Sequence, residues 1–236
     1  MQHFEFELSF LAWLASFAGR WPILDRTAET LANNDLFEAT PYVLVLMGFW
    51  YGAAARAAVR REIFAGGLAA AIAVLVCRLI QNGFASTRPI WDPVLQGLFP
   101  SEFQRLMDLS YHSFPSDHVA FILPLAYAVW RIDARIGAIG WAWFVLISVI
   151  RSYLALHYPI DLIAGALLGV VAIGAVRWAS EPVGRLFAAL ETAERRWPGP
   201  VAAALFFVAF QYATLFMLIR DLGSRGVRVV AMLGPW

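Results

Sequence analysis

Apolar positions along the chain gather into long uncharged runs, and the charges gather into the short segments between them. The first run, Leu8 to Gly19, is too short to span a bilayer. Glu5 and Glu7 precede it, where a signal peptide would carry basic residues, so it is an interfacial or packing helix. A polar stretch with Asp25, Arg26, Glu29, Asn33, Asn34 and Asp35 follows, and then a charge-free run from Ala39 to Ala55, the first span. Five more runs follow: Ile63 to Cys77, Val119 to Trp130, Ile136 to Ile150, Leu162 to Val176 and Pro198 to Ile219. The middle four are shorter than the ~20 residues that a hydrocarbon core requires. Arg78, Arg131, Arg151 and Arg177 lie at their ends, where snorkelling or pairing restores the missing length. The pattern predicts an all-α polytopic membrane helix bundle of about six transmembrane helices with an N-terminal interfacial helix, one integral membrane domain over 1–236.

Composition agrees. Of 236 residues, 61% are hydrophobic and 15% charged, against ~45–50% and ~25% in a soluble domain. The net charge of +1 excludes the clustered basic surface that a nucleic-acid partner needs. All 18 basic residues are arginines, which removes Schiff-base, pyridoxal and P-loop lysine chemistry. The single cysteine, Cys77, forms no intrachain disulfide.

Six spans place both termini on one side. Arg56, Arg60, Arg61, Arg131, Arg135, Arg177, Arg185, Arg195 and Arg196 share one face, and Arg20, Arg26, Arg88, Arg105, Arg151, Arg220, Arg225 and Arg228 the other. Nine against eight decides nothing, but setting Arg88 and Arg151 aside for chemistry makes it nine against six and puts the first group inside. Segments 83–118 and 151–161 then face outward together.

Those segments hold the ionisable residues that a membrane boundary does not tolerate without a reason: Arg88, His112, Ser116, Asp117, His118, Arg151, His157 and Asp161. His157 and Asp161 are four residues apart, which suits a carboxylate that accepts the imidazole N–H and raises the basicity of the ring. Pro159 between them fits a helix that begins near Tyr158. Phe114-Pro115-Ser116-Asp117-His118 precedes an apolar run, a helix start whose free amides are aimed at an anion. Asp117 reads there mainly as a helix-start acid that favours the dipole. Arg88 and Arg151 supply guanidinium forks for phosphate oxygens. Together these are the parts for phosphoryl transfer without a metal.

The three segments resemble, in order, the three motifs of the type 2 phosphatidic acid phosphatase superfamily of membrane lipid phosphatases. The family's Lys, six residues, Arg-Pro stands here as Gln81, six residues, Arg88-Pro89. Its Pro-Ser-Gly/Asp-His is Pro115-Ser116-Asp117-His118, and its Ser-Arg, five residues, His, three residues, Asp is matched by Arg151, His157 and Asp161. The resemblance implies that His157 attacks phosphorus, that Asp161 orients it, and that His118 protonates the leaving oxygen and then activates water. It gives Ser116, Arg88, Arg151 and Gln81 the phosphate to hold. The branch that it looks most like is the bacterial undecaprenyl pyrophosphate phosphatases, which implies an inner-membrane enzyme with its site facing the periplasm, a lipid phosphate substrate and no cofactor. Two positions depart from the pattern: Gln81 replaces the lysine and Ile150 the serine before Arg151. Arg78, three residues before Gln81, is placed to compensate for the missing charge.

Other readings stay open from the sequence. A phosphotransferase would use the same site, and an anionic-lipid transporter or flippase would use Arg88, Arg151 and Asp161 but would not need His157 as a nucleophile. A metal cluster of His112, His118, His157 and Asp161 lacks a recognised ligand spacing, and His112 reads as a loop histidine. Trp91, Phe99, Phe103, Leu106, Met107 and Leu109 suit an interfacial loop helix or a lipid entrance.

Overall fold

The computed structural model describes residues 5–52, 57–84, 86–95, 97–106 and 112–216, which form helices and connections with no strand among them. Arg56, Met107, Leu109, Ile219, Arg220, Arg225 and Arg228 lie outside the described residues. The α-helices in order are α1 (Glu5–Ala15), α2 (Pro22–Asn33), α3 (Thr40–Tyr51), α4 (Ala57–Gly83), α5 (Asp117–Ile132), α6 (Ala134–Tyr153), α7 (Pro159–Trp178), α8 (Ser180–Arg196) and α9 (Pro198–Ala213). Short 3-10 turns lie at Pro89–Trp91 and Ser101–Leu106.

The six apolar runs become α3, α4, α5, α6, α7 and α9, a membrane helix bundle. Three of these helices, α4, α6 and α7, are long and apolar enough to cross a membrane. The structure shows why the uncharged runs looked short. Helix α4 runs for 27 residues, straight through Arg60, Arg61 and Arg78. Arg60 pairs with Glu194 and Arg78 with Asp117, so side-chain pairing lets the helix continue past its charges.

Two helices arise where the sequence pattern gave only connections. The polar stretch after residue 20 contains α2, which starts on Pro22 and buries only Ala28 and Ala32, contacts too small to register as an apolar stripe. The arginine-bearing segment before residue 197 is α8, held by Val183 and Phe187 four residues apart on one face. The amphipathic signal was present there but was masked by its charges.

Helix α5 is the axis of the bundle, buried along most of its length and packed against α4, α6 and α7. Close approach depends on small residues. A Cβ on Gly165 of α7 would lie 2.4 Å from the Ser116 carbonyl oxygen, and one on Gly169 would lie 3.3 Å from the Ala120 carbonyl oxygen. This Gly-x-x-x-Gly stripe lets α7 approach the start of α5 backbone to backbone. At that end of the bundle, α1, α2 and the two 3-10 turns form a cap. Leu11, Leu14, Ala28, Ala32, Phe99 and Phe103 join Tyr153, Leu154, Leu156 and Tyr158 in one apolar cluster. Phe99 and Phe103 are therefore buried in the cap.

Gly165→Ala pushes a methyl group into backbone that cannot yield. A loss of about 1–3 kcal/mol is expected for such overpacking, read as a lower thermal unfolding midpoint of the detergent-solubilised protein.

Candidate active site

The helix ends set the site. The starts of α5 and α7 and the end of α6 meet at the capped end of the bundle, and the residues just before α3 join them. The connection between α6 and α7 is pinned at four points. Leu156 N–H donates to Arg151 O (2.9 Å), Ser152 Oγ to His157 O (3.1 Å), Ile90 N–H to Ala155 O (3.0 Å) and Arg88 Nη1 to Leu156 O (2.7 Å). Ala155 takes a left-handed conformation, φ 54°, at the turn. A short loop held at so many points presents a rigid side chain, and that side chain is His157.

His157 is completely buried. Its Nδ1 lies 3.0 Å from the carbonyl oxygen of Ser113 and 3.6 Å from Asp161 Oδ2. A carbonyl only accepts, so Nδ1 carries the hydrogen and Nε2 keeps its lone pair. Nε2 has no hydrogen-bond partner. Burial, reinforced by the Arg88 and Arg151 charges, holds the imidazole pKa well below its usual value, which keeps the ring neutral. The Asp161 carboxylate accepts from the Tyr158 N–H (2.8 Å) at the start of α7. It is thus a helix cap as well as the nearest carboxylate to His157.

His118 is held between two carboxylates, with Nδ1 2.8 Å from Asp117 Oδ1 and Nε2 3.0 Å from Glu38 Oε2. Both nitrogens face acceptors, the arrangement of an imidazolium. Asp117 does more than favour a helix dipole: it binds Arg78 and His118 and also accepts the His118 N–H. The expected free amides at the start of α5 are accordingly reduced, because the Ser116 N–H is taken by Asp161 O (2.9 Å) and the His118 N–H by Asp117.

Arg151 is 1% exposed. Its Nη1 donates to Glu38 Oε1 (2.5 Å), and Nε and Nη2 have no partner. Ser116 Oγ is likewise buried and unpartnered. Unpaired buried donors beside an unpaired imidazole nitrogen make a strong anion-binding set. Arg88 is buried and donates to the carbonyls of Leu156 and His112 (3.4 Å), while burial and the Arg151 charge pull its pKa down to about 10, still cationic at neutral pH.

Gln81 is buried with both ends of its amide engaged: Nε2 donates to Pro115 O (2.7 Å) and Oε1 accepts from Arg78 (3.0 Å). The charge at this corner comes from Arg78, which reaches Asp117. His112 accepts the Ser86 N–H on Nδ1 (3.2 Å), a loop-bracing role. Sequence reasoning missed Glu38. Its only signal was a carboxylate directly before the first span, Ala39 to Ala55.

Ligand atoms of Asp117, His118 and His157 lie within 4.8 Å of one another. Both His118 nitrogens already face carboxylates, and the charges of Arg88 and Arg151 bear on His157.

Fold and site together are a membrane helix bundle that gathers buried histidine, arginine and serine side chains at one end. Comparison with known proteins agrees, and the PAP2 superfamily profile matches residues 63–185. The chain belongs to that superfamily. It is 27% identical over 140 residues to "Putative undecaprenyl-diphosphatase YbjG" of Escherichia coli K12, covering 58% of this chain and 65% of that one. It is 36% identical over 70 residues to "Bacitracin transport permease protein BcrC" of Bacillus licheniformis, covering 28% of this chain and 33% of that one. The matched stretches thus cover less than two thirds of these relatives. The crystal structure of Aquifex aeolicus LpxE superposes with a TM-score of 0.55 at 21% identity, covering 75% of this chain and 97% of that one, a likeness of fold.

The buried groups set a pH dependence. His157 has a folded pKa below its ordinary 6.5, so on acidification the unfolded chain takes up the proton first and stability falls below about that pH. Glu38 adds a further loss below its ordinary 4.5: burial alone would raise its pKa, but His118 and Arg151 together bring it below that value. The thermal unfolding midpoint of the parent in detergent should therefore lose ground to that of His157→Asn as pH falls through about 6.5.

Proposed function

We propose that the protein is an integral membrane lipid phosphatase that removes the terminal phosphate of a polyprenyl diphosphate, with undecaprenyl diphosphate the preferred substrate. It acts at the outer face of a bacterial inner membrane. The observation that carries this reading is the neutral, pinned His157, whose unpartnered Nε2 shares a buried centre with the unpartnered donors of Arg151 and Ser116.

The chemistry follows from the groups present. Arg151 and Ser116 bind the oxygens of the terminal phosphate, and Arg88 adds positive potential while fixing the loop of His157. The Nε2 lone pair attacks phosphorus, the bond to the bridging oxygen breaks, and the His118 proton passes to that leaving oxygen. Water then attacks the phosphohistidine as His118, now neutral, takes its proton. The N–P bond breaks, its electron pair returns to Nε2, and orthophosphate departs. Asp161 steadies the His157 ring, and Arg78 with Asp117 holds His118. No metal enters these steps. The substrate assignment is supported by the likeness to YbjG, a putative undecaprenyl-diphosphatase.

Detergent-purified protein in excess chelator should release inorganic phosphate from undecaprenyl diphosphate faster than from phosphatidic acid, and His157→Ala should lose at least about a thousandfold. Loss of the parent's activity in chelator would overturn the metal-free reading, and an active His157→Ala protein would overturn the phosphohistidine. Arg78→Gln, measured alongside, should cost about tenfold or more in kcat/KM.

A further inference from the structure

The most buried ion pair at the site reaches beyond the residues that the superfamily profile matches. Glu38 sits one residue before Ala39, the cap residue of α3, and is 3% exposed. One carboxylate oxygen accepts from Arg151 Nη1 at 2.5 Å and the other faces His118 Nε2 at 3.0 Å. A single side chain thus holds a cation from the end of α6 and another from the start of α5.

The atom on which each contact falls matters. In a guanidinium, the Nε and Nη2 hydrogens point the same way and form one fork, while Nη1 lies at the opposite corner. Glu38 takes Nη1, and the two unpartnered nitrogens are Nε and Nη2. The carboxylate therefore anchors the guanidinium by the corner that phosphate does not need and leaves the whole fork free. On His118, Asp117 takes Nδ1 and Glu38 takes Nε2, so two carboxylates keep both protons on the ring.

We propose that Glu38 is a positioning residue of the phosphatase reaction: it turns the Arg151 fork towards phosphate and keeps the acid proton on His118 until the leaving oxygen draws it away. The inference rests on the phosphatase reading given above. In this role Glu38 touches neither the phosphate nor the attacking Nε2 of His157 and acts through Arg151 and His118.

The groups that face His118 are Asp117 of its own helix, Glu38 before α3, Arg151 of α6 and His157 of the α6–α7 loop, with Arg78 of α4 behind Asp117. Asp117 and Glu38 favour the protonated ring, and Arg151 and Arg78 oppose it. An acid that must carry a proton loses activity as pH rises, so removing one of the two carboxylates moves that loss to lower pH.

The test compares the parent, Glu38→Gln and Glu38→Asp, purified in detergent, in phosphate release from undecaprenyl diphosphate across pH. Glu38→Gln keeps the shape and loses the charge. Its kcat should fall at least about tenfold with KM within about threefold, and the alkaline limb of its kcat profile should move about one unit towards acid. Glu38→Asp retains the charge but is too short to span both partners. It should lose kcat by a similar factor or less while keeping the alkaline limb nearer the parent's. A Glu38→Gln protein with parental kcat and profile would overturn the role, as would lowered kcat with an unmoved limb. If Glu38→Gln does not fold, Glu38→Asp decides: parental kcat overturns the proposal, and reduced kcat with the parental limb supports it. A parent that releases no phosphate overturns the phosphatase reading and the role of Glu38 with it, which separates that failure from an active parent matched by its variants.

Discussion

A guanidinium cannot be taken out of water inside a membrane protein without a partner, and this constraint organises the capped end of the bundle. Arg151 sits on a helix long and apolar enough to cross the bilayer, almost wholly removed from solvent. Desolvating such a charge costs several kcal/mol, recovered only by close opposite charge and good hydrogen bonds. Glu38 supplies that charge at one corner, and the remaining donors stay unmet. A site that leaves buried donors unmet stores an affinity for whatever anion meets them.

The same logic runs outward through a chain of shared partners. Glu38 links Arg151 to His118, His118 to Asp117, Asp117 to Arg78, and Arg78 to Gln81, whose amide ends on the Pro115 carbonyl. Each member satisfies the next, so three helices, α4, α5 and α6, and the segment before α3 are tied at one level. His157 stands apart from this relay. It is neutral and is held by a carbonyl and by its loop. The charged side chains of the relay and the neutral imidazole are thus held by different side-chain contacts.

Much of this was legible in the sequence, and the reasons for the gaps are physical. The six apolar runs marked the bundle, and the residues 81–161 that carry chemistry converge at one end of it. Their spacing was readable because each group of them sits on one turn or helix start. Glu38 was not readable, because its partners lie 80 and 113 residues away and only tertiary packing brings them together. Helix α2 was hidden because its packing face is two alanines, and α8 because its charges outnumber its anchors. Gln81 read as a weakened phosphate ligand, since no one-dimensional pattern reveals that both ends of its amide are engaged inside the protein.

Two helices of the cap over the site, α1 and α2, are drawn from the first third of the chain. Glu7 of α1 accepts the Ile160 N–H at the start of α7, and the apolar faces of α1 and α2 pack over the loop that carries His157. The stretch shared with the superfamily begins only at residue 63. The profile-matched unit and the unit that builds the site therefore differ in extent. A graft or minimal protein cut at the border of resemblance would keep every motif and yet leave Arg151 without its counter-charge and the histidine loop without a roof. Engineering of this scaffold has to carry the amino-terminal helices along as part of the machine.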